Sequence, residues 1–411
     1  MPTKPFYGWI LVAVMLVLLS VGWGTTVYMF SVVAGALHTE FNPTRLVLMT
    51  CSTGMMLMVG LSSPLLGKLL DRYPNKYLMM AGTVSMGLGF ICISLSPSIT
   101  LVVVSYILPI GFGMATLSTL TVSTLLARWF VRRRGLAIGI AALGTQFGGF
   151  LYPPIFATVM ANHDWRFAIG GLGILIIAIV PVLVWTLVVD RPEDKGLHPD
   201  GDATAAPAPE TTSTAEKLSF WQLLRQRNFL LVVCIVGSAV ATNTVLLANL
   251  ALFATDFGEA AVRGAFLVSL VALLGVFFSP AVGWLSDVIS IKLVTALITA
   301  SLAGSCLVFS VATSYPVLLM AAFLMGIGGG GVFPLWASLV GKLYDTRIYG
   351  QVMGATTLVI ALFTAIGPPF GGWVHDTTDS YRLLFLTLLG ILSVMTALIT
   401  LIRLPPQTGQ A

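Results

Sequence analysis

Two charged stretches with the same spacing carry the most suggestive chemistry in the chain. One reads Gly67-Lys-Leu-Leu-Asp71-Arg72-Tyr-Pro-Asn-Lys76, the other Gly283-Trp-Leu-Ser-Asp287-Val-Ile-Ser-Ile-Lys292. A glycine lets two helix ends approach closely, and an aspartate can cap or ion-pair with a neighbouring helix end. Such contacts are reversible, which makes Gly67, Asp71, Arg72, Gly283 and Asp287 candidate gating residues; an ordinary charged tight turn is the alternative. Arg128, with Arg132, Arg133 and Arg134 close behind, could supply gate partners and anchor the chain to its membrane, or else attract anions or anionic lipid. Bond-making chemistry has no comparable support. Cys51, Cys92, Cys234 and Cys306 stand singly in apolar runs, with no Cys-x-x-Cys pair, and read as small buried hydrophobes. With no acid–base, metal or nucleophile constellation inside the apolar segments, an enzyme is not expected, nor is a metal or cofactor.

The elements that hold these stretches are dictated by composition. Of 411 residues, 57% are hydrophobic and 9% charged, with a mean hydropathy of +0.96. Soluble domains carry roughly 25% charged residues. This composition therefore excludes a cytosolic enzyme, a nucleic-acid binder and a secreted disulfide scaffold. A hydrocarbon core needs about 20 apolar residues of helix to cross it. Twelve such segments are predicted, near 8–37, 45–66, 77–96, 100–127, 135–160, 166–189, 228–255, 262–284, 292–313, 315–341, 350–373 and 382–403. Their continuous apolar character excludes a β-barrel, and the first is too long for a cleaved signal peptide. The predicted class is an all-α polytopic membrane protein. With the N-terminus cytoplasmic, 17 of the 21 Lys and Arg fall on inner loops and 4 on outer ones (Arg45, Arg166, Arg263 and Arg382), so both termini are expected inside. The net charge of +5 then reports topology and says nothing of the substrate. Compact loops point to a bacterial inner membrane.

An internal repeat divides the chain. At an offset of about 216 residues, Pro64, Gly67 and Asp71 fall on Pro280, Gly283 and Asp287. Near the same offset the Pro153-Pro154 pair falls on Pro368-Pro369, and Trp165-Arg166 on Tyr381-Arg382. Two pseudo-symmetric six-helix bundles are expected, residues 1–189 and 228–411, with a site between them near the midplane. Residues 190–227 read as a flexible cytoplasmic linker, ending in a short amphipathic segment around Phe220–Leu224.

The Gly-x-x-x-Asp-Arg stretch, weakly repeated in the second half, resembles the loop signature of the major facilitator superfamily. Arg128-Trp129-Phe130-Val-Arg132-Arg133-Arg134-Gly-Leu136-Ala137-Ile-Gly139 is similar to the span-five signature of the monocarboxylate porters. The opening Tyr7-Gly8-Trp9 and the Arg191–Gly201 stretch resemble those porters and the oxalate–formate antiporter group. The resemblance implies twelve helices, alternating access, and transport of small organic anions, often with a proton. The chain departs from the pattern in its charges. Gly275 and Ser279 stand where animal monocarboxylate porters carry an Asp and an Arg, Tyr28 and Met29 where a Lys is expected, and span eleven has no Lys. All 16 acidic residues lie in loops or at helix ends.

The superfamily lines its cavity with spans one, four, seven and ten, flanked by five, eight and eleven. Carried onto this sequence, that implies substrate contacts from Tyr28, Thr119, Gln146, Asn243, Ser279, Phe333, Trp336 and Phe363. For Gln146 and Asn243 a helix–helix hydrogen bond is the open alternative, and for the aromatics it is packing. The run Gly326–Gly331 is expected to serve close helix packing or a bend, with carboxylate binding by backbone amides as the other reading. A passage without a fixed ion suits a small, largely apolar acid and compensates a dianion poorly. If a proton is coupled, either the acid crosses protonated or Asp256 acts with Arg263. His38, His163 and His375 read as surface residues. The expected protein is a monomeric secondary transporter of monocarboxylates by symport, in contact with membrane lipid and with no nucleic-acid partner. A facilitator or exporter of neutral or amphiphilic compounds is the alternative, and a membrane sensor that has lost transport a third.

Overall fold

In lipid every backbone polar group must be satisfied within the segment, so long apolar runs fold as helices. The computed structural model describes residues 6–201, 220–344 and 348–402, apart from the side chains at positions 64, 67, 68, 71, 134, 201, 349 and 350. Among the described residues twelve helices are long and apolar enough to span a membrane. They are α1 (Tyr7–Phe41), α2 (Arg45–Arg72), α3 (Asn75–Ser94), α4 (Ile99–Trp129), α5 (Arg134–Asn162) and α6 (Trp165–Leu187). The second six are α7 (Arg227–Asp256), α8 (Ala261–Val288), α9 (Ile291–Ser310), α10 (Tyr315–Leu343), α11 (Tyr349–Thr378) and α12 (Arg382–Leu401). All described secondary structure is helical.

Packing follows the repeat. In the first six helices α1 packs on α5, α3 on α6 and α2 on α4; the second six mirror this with α7 on α11, α9 on α12 and α8 on α10. Between the two sets the main contacts are α2 with α11 and α5 with α8, again a matched pair. The α2–α3, α4–α5 and α8–α9 connections share one face, the basic face, and the opposite one is the distal face.

Three local features differ from the sequence reading. The charged signatures are helical, because α2 and α8 run on past the apolar stretch to Arg72 and Val288. Second, α1 and α4 each contain one widened π turn, Gly24–Tyr28 and Tyr106–Ile110. The two turns meet: Tyr106, fully buried, donates its hydroxyl to the Thr26 carbonyl at 2.6 Å. π turns recur at functional sites because they re-aim side chains. Third, the start of the linker is folded onto the first half. Asp190 accepts from the Asn75 N–H (2.6 Å), Lys195 sits 3.8 Å over the Tyr7 ring, and Asp200 accepts from the Val131 and Arg132 N–H groups (3.0 and 2.8 Å). Pro192 opens a short 3₁₀ turn and Gly196, at φ +64°, closes it. The rest of the linker to residue 219 lies outside the described residues, and Phe220–Leu224 is a short helix as expected.

Candidate functional site

The neutral candidates assemble into a belt across both halves. Tyr28 is placed by the widened turn of α1, is buried, and donates its hydroxyl to Oε1 of Gln146 on α5. The Gln146 amide reaches over to α8, where a Cβ at Gly275 would lie 2.8 Å from its Cδ and Nε2. The missing side chain at Gly275 is thus what lets a first-half amide cross the interface. Gly275 is backed in turn by α10, since a Cβ at Gly330 would come within 2.6 Å of the Gly275 Cα. The next glycine meets α7: a Cβ at Gly329 would stand 2.9 Å from Cγ of Asn243, whose Oδ1 is buried without a hydrogen-bond partner. Gly326 and Gly328 similarly face Leu274 and Leu302, so the Gly326–Gly331 run threads α10 between α7, α8 and α9. Chemically the belt offers an amide, a phenol already engaged, and an unmet carbonyl, but no ion.

The other candidates are more scattered. Trp336, on α10, donates Nε1–H to Thr356 Oγ1 of α11 at 3.1 Å in a buried contact. Phe333 lies 6.4 Å from Trp336 between ring centroids and is 47% exposed. Ser279 is half-buried on α8. Thr119 is exposed and starts the last segment of α4 after a break at Leu117–Ser118. Phe363 sits against Gly237 of α7 and lines an apolar crevice of about 390 Å³ between α7, α11 and α12.

At the basic face the surroundings of Gly67 and the side chain of Asp71 lie outside the described part, while Arg72 and Asp287 are exposed. Arg128 of α4 donates to the Leu70 carbonyl near the end of α2 (3.2 Å), and Lys342 of α10 donates to the Ser286 carbonyl near the end of α8. Cations on terminal carbonyls complement the helix dipole. This pairing repeats in the two halves, and Gly283 faces Pro334 of α10 at ordinary contact distance. Lys342 was not singled out from the sequence, although Arg128 and the repeat offset point to its neighbourhood.

The distal face binds the halves together. Asp376 on α11 accepts from the backbone N–H groups of Arg45 and Leu46, both at 2.9 Å, and so caps α2 from the other half. Gly372 allows this, because a Cβ there would lie 2.8 Å from the Arg45 carbonyl. Asp256 at the end of α7 pairs with Arg45 Nη2 at 2.6 Å, and its second oxygen is 3.5 Å from His375 Nε2. The expected partnership of Asp256 with Arg263 is therefore corrected: Arg263 pairs with Glu259 one turn away, at 2.6 Å. His375 also leaves the surface class, its ring tilted against that of Tyr381 with the centroids 4.6 Å apart, whereas His163 is exposed. Asn249, six residues beyond Asn243 on α7, accepts from the Tyr381 hydroxyl at 3.2 Å. Arg45 and Asp376 were missed because each looks like an ordinary loop-edge charge. A signal existed: under the repeat offset Arg45 falls on Ala261 and Asp376 on Met160, so neither charge has a counterpart.

The family model described as Major Facilitator Superfamily matches residues 14–362 and 292–411. Monocarboxylate transporter 2 of Mus musculus is 25% identical over 406 residues, covering 94% of this chain and 82% of that protein. Monocarboxylate transporter 12 of the same organism is 26% identical over 328 residues, covering 75% and 67%. Among solved structures, a bacterial homolog to the human lysosomal transporter Spinster superposes with a TM-score of 0.76 at 12% identity, covering 98% of this chain and 100% of that one. A POT family transporter in complex with 5-aminolevulinic acid gives 0.74 at 14% identity, covering 95% and 96%.

Proposed function

The chain belongs to the Major Facilitator Superfamily and is a multi-pass membrane transporter of a small molecule rather than an enzyme, and we infer that it falls within the monocarboxylate porter-like group. On that premise we propose that it moves small, largely apolar monocarboxylic acids by alternating access between residues 1–189 and 228–411. The folded start of the linker travels with the first half. The observation that carries this reading is the Tyr28–Gln146–Gly275 contact, a neutral hydrogen-bonding group of one half resting on the backbone of the other. An uncharged belt orients a carboxylic acid through amide and hydroxyl groups while leaving an apolar tail in apolar surroundings, and it disfavours a dianion. The same neutrality suits a facilitator or exporter of amphiphilic neutral compounds, which is the second reading.

The excess of cations on one face supports an inner-membrane orientation with both termini cytoplasmic and Arg45 outside. Coupling to a proton then has two routes: the acid carries its own proton, or Asp256 accepts one as the distal face opens. Counterflow in proteoliposomes holding the full-length protein tests the proposal, with acetate, pyruvate, L-lactate, butyrate, benzoate and oxalate at several pH values. Saturable counterflow of a monocarboxylate, with oxalate excluded, is expected. High affinity for oxalate contradicts the neutral-belt argument, and counterflow of neutral amphiphiles without any acid favours the second reading.

A further inference from the structure

We propose that Arg45 is a carboxylate-binding site at the distal mouth of the transport path, and that Asp256 is the internal carboxylate occupying it while that mouth is shut. The inference rests on the reading that the protein carries organic acids, and it names the cation that meets them. Among the described residues Arg45 is the only Lys, Arg, Asp or Glu that is buried, at 4% exposure. Its Nη2 is taken by Asp256, but Nε and Nη1 meet neither an acceptor nor solvent. Leaving buried guanidinium donors unmet is costly, and a planar guanidinium is the side chain best matched to a carboxylate. A second acceptor arriving at this group relieves the deficit.

Space for one adjoins it. Arg45 borders a pocket of about 380 Å³ between the halves, shared with Ser31, His38, Thr39, Thr255 and Asp256. That volume lies in the range of roughly 300–1,000 Å³ typical of small-ligand sites. Its hydroxyls and apolar walls suit a short acid.

The repeat supplies an independent argument. Asp256 is the counterpart of Glu40, and Arg382 of Arg166, at the same offset. In the first half the counterparts pair within their own bundle, Glu40 with Arg166 at 2.5 Å. By symmetry Asp256 should take Arg382, which is instead exposed, while Asp256 reaches across to Arg45. The symmetry of this ion pair is broken by a cation, without a repeat counterpart, placed between the halves. A ligand carboxylate and Asp256 compete for it, so ligand arrival weakens the ion pair that ties the distal ends together. The Asp376 contacts with backbone N–H groups are separate and persist.

The test uses the full-length protein in proteoliposomes, with whichever of acetate, pyruvate, L-lactate, butyrate or benzoate gives the largest counterflow as probe. Arg45→Gln is expected to raise KM roughly 10- to 100-fold, as loss of a charge-assisted bond to the ligand would. Arg45→Lys, which keeps the charge and loses the fork, should fall between it and wild type. Asp256→Asn should lower KM by removing the competitor, and the charge exchange of Arg45→Asp with Asp256→Arg should not recover wild-type KM. An Arg45→Gln variant with unchanged KM overturns the proposal. So does recovery by the charge exchange, with both single variants impaired alike, which leaves the pair a latch and nothing more. Melting temperature and monodispersity separate misfolding from lost binding, and if Arg45→Gln does not fold, Arg45→Lys and Asp256→Asn decide the matter. Counterflow by none of the acids refutes the proposed function itself and this site with it.

Discussion

Two glycines one contact apart should respond to the same methyl group in opposite ways. At Gly275 the three atoms nearest to an added Cβ all belong to the far end of Gln146, with Cδ and Nε2 at 2.8 Å. Carbon atoms prefer about 3.5–4.0 Å, so the amide must swing away, which a long side chain does by changing rotamer. Gly275→Ala should therefore fold, but Gln146 leaves Tyr28, and a hydrogen bond worth about 0.5–1.5 kcal/mol is lost from the belt. If that bond presets Gln146 for the substrate, counterflow KM rises roughly 2- to 10-fold. At Gly330 the added Cβ falls 2.6 Å from the Gly275 Cα and 3.2 Å from its carbonyl oxygen, both backbone. No rotamer relieves that, and α8 and α10 must separate, at an overpacking cost of about 1–3 kcal/mol. The fluorescence-monitored melting temperature of purified Gly330→Ala should fall by several degrees, at roughly 2–4 °C per kcal/mol, with Gly275→Ala close to wild type. Equal melting losses in the two variants refute the distinction between side-chain and backbone neighbours. Unaltered KM in both Gly275→Ala and Gln146→Ala refutes the belt as the substrate's contact surface.

Other outcomes follow from single contacts. Thr356→Val leaves the buried Trp336 N–H without its acceptor and should cost about 1–3 kcal/mol, visible as a lower melting temperature, whereas Thr356→Ser should stay near wild type. Asn243→Ala removes an unmet buried oxygen and should leave the melting temperature unchanged or slightly higher. Its counterflow should nevertheless weaken if Asn243 orients the substrate, and unaltered counterflow assigns it to packing. Burial pushes the Asp200 carboxyl up, but backbone N–H groups of Arg132, Val131 and Arg133 and the Arg132 charge outweigh this and hold it below its ordinary value. Its stabilising effect is thus fully present above the ordinary carboxylate range and is lost as pH falls through the lowered value. The melting-temperature gap between wild type and Asp200→Asn should be largest at neutral pH and shrink below about pH 4.

Much of this architecture was readable from the chain because lipid permits few solutions. Twelve apolar runs became twelve helices, most ends falling within a few residues of expectation and those of α2, α8 and α11 running on by four to six, since crossing a bilayer and satisfying the backbone leave no other form. The Pro280 and Gly283 matches announced the repeat that the packing then followed. Tyr28 and Gln146 were picked as individual polar residues, but their contact was invisible, because it depends on a π turn that no residue pattern in Gly24–Tyr28 announces. Arg45 was misjudged for another reason. Position at a helix end reports where a charge enters the chain, while burial depends on which helix of the other half lies over it, here α11 at Gly372. The first residues of the linker were read as flexible on composition, yet Asp190, Lys195 and Asp200 each found a partner on the first half.

The widened turns of α1 and α4 set a rule for changes in chain length. Each takes up one residue more than a regular helix needs, so excising one residue from Gly24–Tyr28 would heal α1 and leave its two flanks close to their present orientation. The Thr26 carbonyl would return to its own helix and strand the Tyr106 hydroxyl in the core. The cost of such a deletion is therefore a lost acceptor in the core, and not a turn of the helix on either side of it.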